Sequence, residues 1–252
     1  MKKALLILSV FTVLSVSASR NTTILKGKKA QDKIDNSEII RLKHFTSVPN
    51  YVKFRQGKEL PFDKLESWLT QFYTSDQKQG IRLIRKEEGS LGMTHYRYQQ
   101  TINDIPVELS GFIAHVKNGK ILSVNGTLFS DVEVASNASL SESNALNYAL
   151  SYINADIYKW QIDSEEKQLK EETDNSDATY FPKGEIVWIN DGGLVEAPMK
   201  LVYKFNIYAQ KPFSRRELFI DASNGQVIWE QNKIHDADVT GIASTVYSGN
   251  QT

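Results

Sequence analysis

The sequence contains no cysteine among its 252 residues. A chain without cysteine has no disulfides, no thiolate metal sites and no cysteine nucleophile, so its stability must come from its hydrophobic core or from a partner. It also lacks net charge, with 30 basic against 30 acidic residues. Since proteins that grip nucleic acid electrostatically carry an excess of basic residues, the composition predicts no nucleic-acid partner.

The signatures of several catalytic sites are missing as well. None of the four histidines, His44, His95, His115 and His235, begins a His-Glu-x-x-His pattern, the zinc-binding helix motif of metalloproteases. The sequence has neither a Gly-x-Ser-x-Gly nucleophile turn nor a phosphate-binding loop. We therefore predict that this chain is not an enzyme and that it holds no catalytic residue, metal or cofactor of its own.

Long apolar runs are absent except at the start of the chain. Lys2 and Lys3 precede an almost entirely apolar run from Ala4 to Leu14, and the small residues Val16-Ser17-Ala18 follow it. This order predicts a secretory signal peptide over residues 1–18, cleaved after Ala18, and a secreted chain of bacterial origin. A membrane anchor is the alternative, but a span needs about 20 apolar residues. We expect no membrane span after the signal is removed.

The first half of the secreted chain predicts one helix followed by strands. Residues 19–49 are polar and rich in lysine, which predicts a loosely ordered N-terminal arm. An apolar stripe with helical spacing follows, formed by Leu65, Trp68, Leu69 and Phe72. After Gly80 the period changes to two, and Asn118-Gly119 is typical of a tight hairpin turn, since both turn positions need positive φ.

The strand from Met93 to Ile102 has the clearest alternation. Its two predicted faces carry Tyr96, Tyr98 and Gln100 on one side and His95, Arg97 and Gln99 on the other. His95 could meet His115 across paired strands and bind a metal. Two nitrogen ligands without a third make a poor zinc site, so a cross-strand pair is favoured. Arg97, Gln99 and Glu108 predict a polar sheet face, either solvated or used to contact a partner.

The second half repeats the same plan. Ser141 can cap a helix that runs to Ile153, and the acid-rich stretch from Asp163 to Thr179 predicts an exposed or disordered loop. Four strands are then expected, at Glu185–Ile189, Met199–Tyr208, Arg215–Asp221 and Gln226–Trp229. The fold class is therefore α+β, with one helix and about four antiparallel strands in each half.

Several motifs in the first half resemble the fungalysin/thermolysin propeptide domain. They are His95-Tyr96-Arg97-Tyr98-Gln99-Gln100, Ile105-Pro106-Val107, Gly111, His115-Val116, Asn118-Gly119 and Val124-Asn125-Gly126. The resemblance assigns residues 50–134 to that domain, and residues 135–231 resemble a PepSY domain, so that each unit is expected to be cystatin-like. The candidates for family-motif or partner-contact residues are His95, Arg97, Gln99, Gln100, Pro106, Val107, Gly111, His115, Gly119, Asn125 and Gly126.

The resemblance implies the pro-region of a secreted thermolysin-like zinc metalloprotease. Such a pro-region assists folding of the catalytic domain and inhibits it, in cis or in trans, until it is cleaved. Zinc and calcium would belong to that catalytic domain. Residues 232–252 would be the processing linker and the start of the mature enzyme, because Asp238–Gly249 resembles its opening strand. The expected inhibitory tail, cut within the substrate cleft, includes His235, Asp236, Asp238 and Val239.

Two other hypotheses remain open from the sequence. PepSY-type domains also occur outside protease precursors, so the chain could be a free-standing secreted binding or inhibitor module. The chain could also be an enzyme itself, although the absence of a recognisable nucleophile, metal helix or cofactor loop disfavours this. A His-Glu-x-x-His helix encoded beyond Thr252 would distinguish the protease precursor from the free-standing module.

Overall fold

The structure, a computed structural model, describes residues 22–43, 48–73, 76–130, 132–134, 138–190, 198–234, 243–245 and 249–251. The fold is α+β with antiparallel sheets, as predicted. The helices are α1 (Lys28–Gln31), α2 (Leu65–Leu69), α3 (Glu142–Ile153) and α4 (Asp163–Thr173). The strands are β1 (Thr22–Lys26), β2 (Ser37–Lys43), β3 (Tyr51–Phe54), β4 (Leu60–Pro61), β5 (Gln79–Glu88), β6 (Thr94–Ile102), β7 (Ile105–Pro106), β8 (Gly111–Lys117), β9 (Lys120–Thr127), β10 (Ile157–Tyr158), β11 (Glu185–Asn190), β12 (Met199–Lys211), β13 (Ser214–Asp221), β14 (Val227–Asn232), β15 (Ala243–Thr245) and β16 (Gly249–Gln251).

The first sheet has the strand order β1-β2-β3-β9-β8-β6-β5, with the short strands β4 and β7 paired to β9 and β6. All its pairings are antiparallel. The predicted hairpin at Asn118-Gly119 joins β8 to β9, with φ of 50° and 71° at its two residues. Short helical turns extend α2 on both sides, so that the apolar stripe from Leu65 to Phe72 packs against one face of this sheet.

The prediction of a loosely ordered N-terminal arm is wrong for residues 22–43. These residues form β1, α1 and β2, which lengthen the first sheet by two strands. The physical reason is a small set of apolar residues among the lysines, since Ala30, Ile34 and Ile40 are all buried in the core of this sheet. The many lysines lie outside this core, so the segment is polar on average although it is ordered.

The second sheet has the order β10-β12-β13-β14, and β11 also pairs with β12. Helix α3 packs on one of its faces through Ala145 and Ala149, and Phe205 and Ile220 of the sheet lie in the same core. The predicted cap is present, because Asn144 donates its backbone N–H to Ser141 Oγ at 3.3 Å. The expected turn at Asn224-Gly225 lies between β13 and β14.

The prediction of an exposed loop at 163–179 is wrong over most of its length, because Asp163–Thr173 forms α4. The segment is polar on all sides, and none of the helix residues is buried. Its acidic residues in the first turn complement the positive end of the helix dipole. Glu166 also accepts a hydrogen bond from the backbone N–H of Tyr180 at 2.7 Å, which ties the helix to the following segment.

The two sheets meet at Trp188 of β11. Its buried indole donates from Nε1 to the carbonyl oxygen of Ile102 at 3.0 Å, and its own carbonyl accepts the N–H of Glu108 at 2.7 Å. Val107 forms a parallel bridge with Trp188. Ile102 and Val107 belong by sequence to the first unit but are buried in the core of the second. The junction is therefore a shared core, closed by hydrogen bonds.

A polar contact lies beside this shared core. Lys204 Nζ of β12 reaches Glu108 Oε2 at 3.2 Å and Glu185 Oε2 at 3.0 Å. Burial opposes the charge on Lys204, but the hydrogen bond to Glu185 and the charges of both carboxylates outweigh it and raise the pKa of Lys204. The ammonium therefore stays charged and bridges the loop after β7 to the second sheet.

Replacing the indole at the junction should weaken the whole fold. In Trp188→Phe the carbonyl of Ile102 loses its donor and a cavity opens between the sheets, so we expect a loss of about 2 kcal/mol in the free energy of unfolding. Urea denaturation followed by far-UV circular dichroism measures it. The control is Trp229→Phe, at a half-buried ring that contacts Phe219, with an expected loss below about 1 kcal/mol. Equal losses would contradict a special role for Trp188.

Candidate functional site

The first sheet has one face without a helix among the described residues. Because α1 and α2 both pack on the side of Phe112 and Val124, alternation places the intervening residues on the other side. We call this side the open face. It consists of Thr22, Ile24 and Lys26 of β1, Ile39, Arg41 and Lys43 of β2, Tyr51 and Lys53 of β3, Lys120, Ser123, Asn125 and Thr127 of β9, Ile113, His115 and Lys117 of β8, His95, Arg97 and Gln99 of β6, and Arg82, Arg85 and Glu87 of β5, together with Glu38, whose carboxylate reaches Lys53.

A chain of hydrogen bonds crosses three strands near the middle of this face. His95 and His115 are direct cross-strand partners, and their Nδ1 atoms lie 2.7 Å apart. His115 Nε2 contacts Asn125 Oδ1 of the next strand. Since this oxygen only accepts, His115 Nε2 donates, and in neutral rings His115 Nδ1 accepts the proton of His95 Nδ1. The three side chains thus fix one another's orientation.

This arrangement does not suit a metal ion. Two nitrogens bound to a tetrahedral zinc at about 2.0–2.1 Å lie about 3.3 Å apart, farther than the two histidine nitrogens here. Within the part of the chain that the structure describes, no three His, Cys, Asp or Glu residues group closely enough to hold a metal. The two histidines therefore form a cross-strand pair, joined by a direct hydrogen bond between their rings.

Arg97 and Gln99 are held by partners on the neighbouring strand β5. Arg97 Nε donates to Glu87 Oε2 at 2.7 Å, and Arg82 Nη2 donates to Gln99 Oε1 at 3.0 Å. The hydrogen bond from Arg97, supported by the charge of Arg85, keeps the pKa of Glu87 below its usual range. A shallow depression of about 450 Å³ lies here, lined among others by Ile84, Arg97, Gln99 and Asn125.

Gln100 points the opposite way, into the protein, and is completely buried. Its Nε2 donates to the carbonyl of Phe129 and to Gln79 Oε1, each at 2.7 Å. Its Oε1 accepts the backbone N–H of Phe129 at 2.8 Å. The side-chain amide thus pairs with the main chain of Phe129 as a neighbouring strand would, and it holds the segment that leaves β9.

The remaining motif residues shape the backbone. Pro106 and Val107 are buried beside β6, and the N–H of Val107 donates to the carbonyl of Gln100 at 2.9 Å. Gly111 begins β8, and Gly119 lies in the hairpin turn. Gly126 has a φ of 150°, and a Cβ there would lie 2.1 Å from the carbonyl oxygen of Gly111. The structure therefore separates the candidates into an open-face group and a framework group.

The open-face group contains His95, Arg97, Gln99, His115 and Asn125, of which Arg97 is exposed and the other four are half-buried. Their partners Arg82 and Glu87 were not predicted, because the two residues are five positions apart and reach the same face only through the bulge between Leu83 and Arg85. The tail candidates His235, Asp236, Asp238 and Val239 lie outside the described residues, as do residues 1–18 with the cleavage position at Ala18. No helix in the described ranges is long and apolar enough to cross a membrane.

The comparison with protein families confirms the resemblance. Residues 79–128 match the family described as the Fungalysin/Thermolysin Propeptide Motif. These residues are the strands β5 to β9 and one following residue, so the match covers the central part of the first sheet. The family model describes a propeptide and not a catalytic domain, in agreement with the prediction that this chain is not itself the enzyme.

Curated proteases are similar over a longer stretch. Bacillolysin of Bacillus amyloliquefaciens is 26% identical over 178 residues, which are 69% of this chain and 31% of that protein. Thermolysin of Bacillus caldolyticus is 25% identical over 205 residues, 77% of this chain and 34% of that protein. The match thus spans about a third of the length of these curated relatives.

One solved structure is also similar in part. It is the Bacillus megaterium YpeB C-terminal domain, with 12% sequence identity and a TM-score of 0.34. The alignment covers 87% of this chain and 92% of that one. A score of this size does not establish a shared fold.

Two neighbouring glutamines provide a matched test of the framework. In Gln100→Leu the N–H and carbonyl of Phe129 and the side chain of Gln79 all lose a buried partner, so we expect unfolding free energy to fall by about 3 kcal/mol. In Gln99→Leu, on the open face, the loss should stay below about 1 kcal/mol. Chemical denaturation of both variants measures the difference. Similar losses would contradict the framework role of Gln100.

Two glycines provide a second matched test. Gly126→Ala places a methyl group against the backbone of Gly111 and Phe112, so β8 and β9 must separate, and we expect a loss above about 3 kcal/mol or no folded protein. Gly119→Ala also has positive φ but meets no atom within 4 Å, so its cost should be about 1 kcal/mol. Thermal unfolding compares them. A fully stable Gly126→Ala protein would show that the strands can move apart without penalty.

Proposed function

We propose that this chain is the pro-region of a secreted thermolysin-like zinc metalloprotease, which assists folding of the catalytic domain and inhibits it until it is cut away. The observation that carries the proposal is the match of residues 79–128 to the propeptide motif, because it coincides with complete structural elements. The similarity of most of the chain to about a third of bacillolysin supports it.

The geometry suits a binding role better than a catalytic one. The polar side chains of the open face are fixed by hydrogen bonds across neighbouring strands, as in His95–His115 and Arg97–Glu87. Side chains that are ordered before binding lose less conformational entropy when a partner docks. A rigid, polar sheet face can therefore recognise a folded protein surface, whereas the part of the chain described by the structure shows no metal-binding group.

The finer organisation belongs to the same proposal. Residues 50–134 would form the propeptide domain and residues 135–231 a PepSY domain, both cystatin-like, preceded by the signal peptide that directs secretion. The observation of one helix-bearing sheet in each half supports this division. The partner would be the cognate catalytic domain, in cis or in trans, which would hold the zinc and calcium. The tail from His235 to Val239 would occupy its substrate cleft.

A free-standing secreted binding module is the second candidate. The observation in its favour is that both sheets bury substantial cores of their own within the described residues. A chain that buries its apolar residues internally does not need a protease domain to fold. This candidate predicts a stable monomer that neither binds nor inhibits a protease.

Inhibition in trans tests the proposed function. The reading frame beyond Thr252 should encode a His-Glu-x-x-His domain, and residues 19–252 added to that mature domain should abolish its hydrolysis of casein. Removing residues 232–252 should weaken inhibition at least tenfold, because the tail no longer enters the cleft. Hydrolysis rates at increasing pro-region concentration measure both effects. A reading frame without that motif, or undiminished hydrolysis with the full chain, would refute the proposal.

A further inference from the structure

The charges of the chain are unevenly distributed over its surface. Although basic and acidic residues balance at 30 each in the sequence, the open face is strongly basic. Its lysines and arginines are Lys26, Arg41, Lys43, Lys53, Arg82, Arg85, Arg97, Lys117 and Lys120, and its acidic side chains are Glu38 and Glu87. Nine basic groups therefore stand against two acidic ones on a single sheet face.

The two acidic residues of the face offset only part of its positive charge. Glu38 pairs with Lys53 at 2.8 Å, and Glu87 pairs with both Arg85 and Arg97 at 2.9 and 2.7 Å. A carboxylate offsets only one positive charge, even when it contacts two cations, as Glu87 does. Two further carboxylates lie at the border of the face: Glu185 of the second sheet is 4.0 Å from Arg82, and Glu59 is 3.9 Å from Lys120. A positive potential therefore extends across the strands from β2 to β5.

Several of these cations are held in place by neutral partners. Arg82 donates to the side-chain oxygen of Gln99, and Arg41 stacks over the ring of Tyr51 at 5.3 Å from its centroid. Arg97 is instead oriented by an anion, because its Nε donates to Glu87 Oε2 at 2.7 Å. Because an arginine so oriented presents a planar pair of donors, it is suited to carboxylates of a partner.

The floor between these cations is suited to contact with a folded surface. Ile113 is half-buried at the centre, and Ile84 is exposed beside it, where a bulge interrupts the pairing of β5 with β6. The same two side chains line the shallow depression next to Arg97 and Gln99. An apolar centre with a polar, charged rim is the usual anatomy of a protein-binding surface.

We propose that the open face is the docking surface for an acidic patch of a protein partner. The inference rests on the proposed function for the partner's identity, which is the catalytic domain of the protease. Charge complementarity selects the occupant, because a surface with nine basic and two acidic groups attracts carboxylates and repels basic surfaces. The docking surface shares no residue with the proposed tail, and in this proposal it binds the partner outside the substrate cleft.

A charge-reversal variant with a matched control tests the surface. The face variant carries Arg41→Glu, Arg82→Glu and Lys117→Glu. The control variant carries Lys28→Glu, Lys167→Glu and Lys211→Glu, at exposed lysines that lie off the open face. Both variants change the net charge equally, and all six positions are at the surface, so thermal unfolding should confirm that both remain folded.

The first probe is poly-L-glutamate, which imitates an acidic surface without any protease. We expect it to bind in 20 mM NaCl, to shift NMR signals of the open face, and to bind at least tenfold more weakly to the face variant. The control variant should change less than threefold, and 300 mM NaCl should abolish binding because salt screens exposed charges. Equal weakening in both variants, or signal shifts elsewhere, would overturn the proposal.

The second probe is the mature catalytic domain, and it separates the two proposals. The face variant should associate about tenfold more slowly than the control variant, since electrostatic steering acts mainly on the association rate. Binding that both variants share equally would overturn the docking surface and leave the pro-region function standing. A chain that binds poly-L-glutamate through the open face but ignores the catalytic domain would overturn the function. If the wild-type chain forms a dimer and the face variant does not, the occupant of the open face is a second copy of this chain and not the catalytic domain.

Discussion

The path of the chain between its two sheets depends on the pairing of the Gln100 amide with the main chain of Phe129. This pairing fixes the segment directly after β9, where the ladder of the first sheet has ended. From there Gln79 holds the carbonyl of Ser130, Val132 enters the second core, and Val134 forms a bridge with Met199. A single buried side chain therefore sets where the second half begins, since an unpaired buried amide would carry a large desolvation cost.

Strand alternation separates the family motif into two roles. Consecutive residues of β6 point to opposite sides, so Gln100 stabilises the interior while Gln99 and Arg97 present polar groups to solvent. Neither role involves chemistry at a metal or nucleophile in the residues described. The same short run of sequence thus supplies both buried framework residues and polar surface residues. This explains how a propeptide motif can be recognisable without containing a catalytic group.

Much of the central fold could be predicted, because its signals are local. The alternation of β6, the hairpin at Asn118-Gly119 and the cap at Ser141 each depend on a few neighbouring residues. That residues 22–43 are ordered could not be predicted from composition. Their few apolar residues are buried only through pairing with a distant strand, as Ile40 pairs with Val52. Likewise, the role of Glu87 follows from its hydrogen bond with Arg97, which depends on the pairing of two strands and not on proximity in the sequence.

The burial of Ile102 and Val107 within the core of the second half bears on how such a chain can change over evolution. Either half could be exchanged for a homologous one only if the newcomer reproduced a cavity for these two side chains and an acceptor for the indole of Trp188. Recombination at the boundary between the halves would leave a cavity in the core of the second half and would expose the apolar side chains of Ile102 and Val107 in the first. The two sheets therefore depend on each other for a completely filled core.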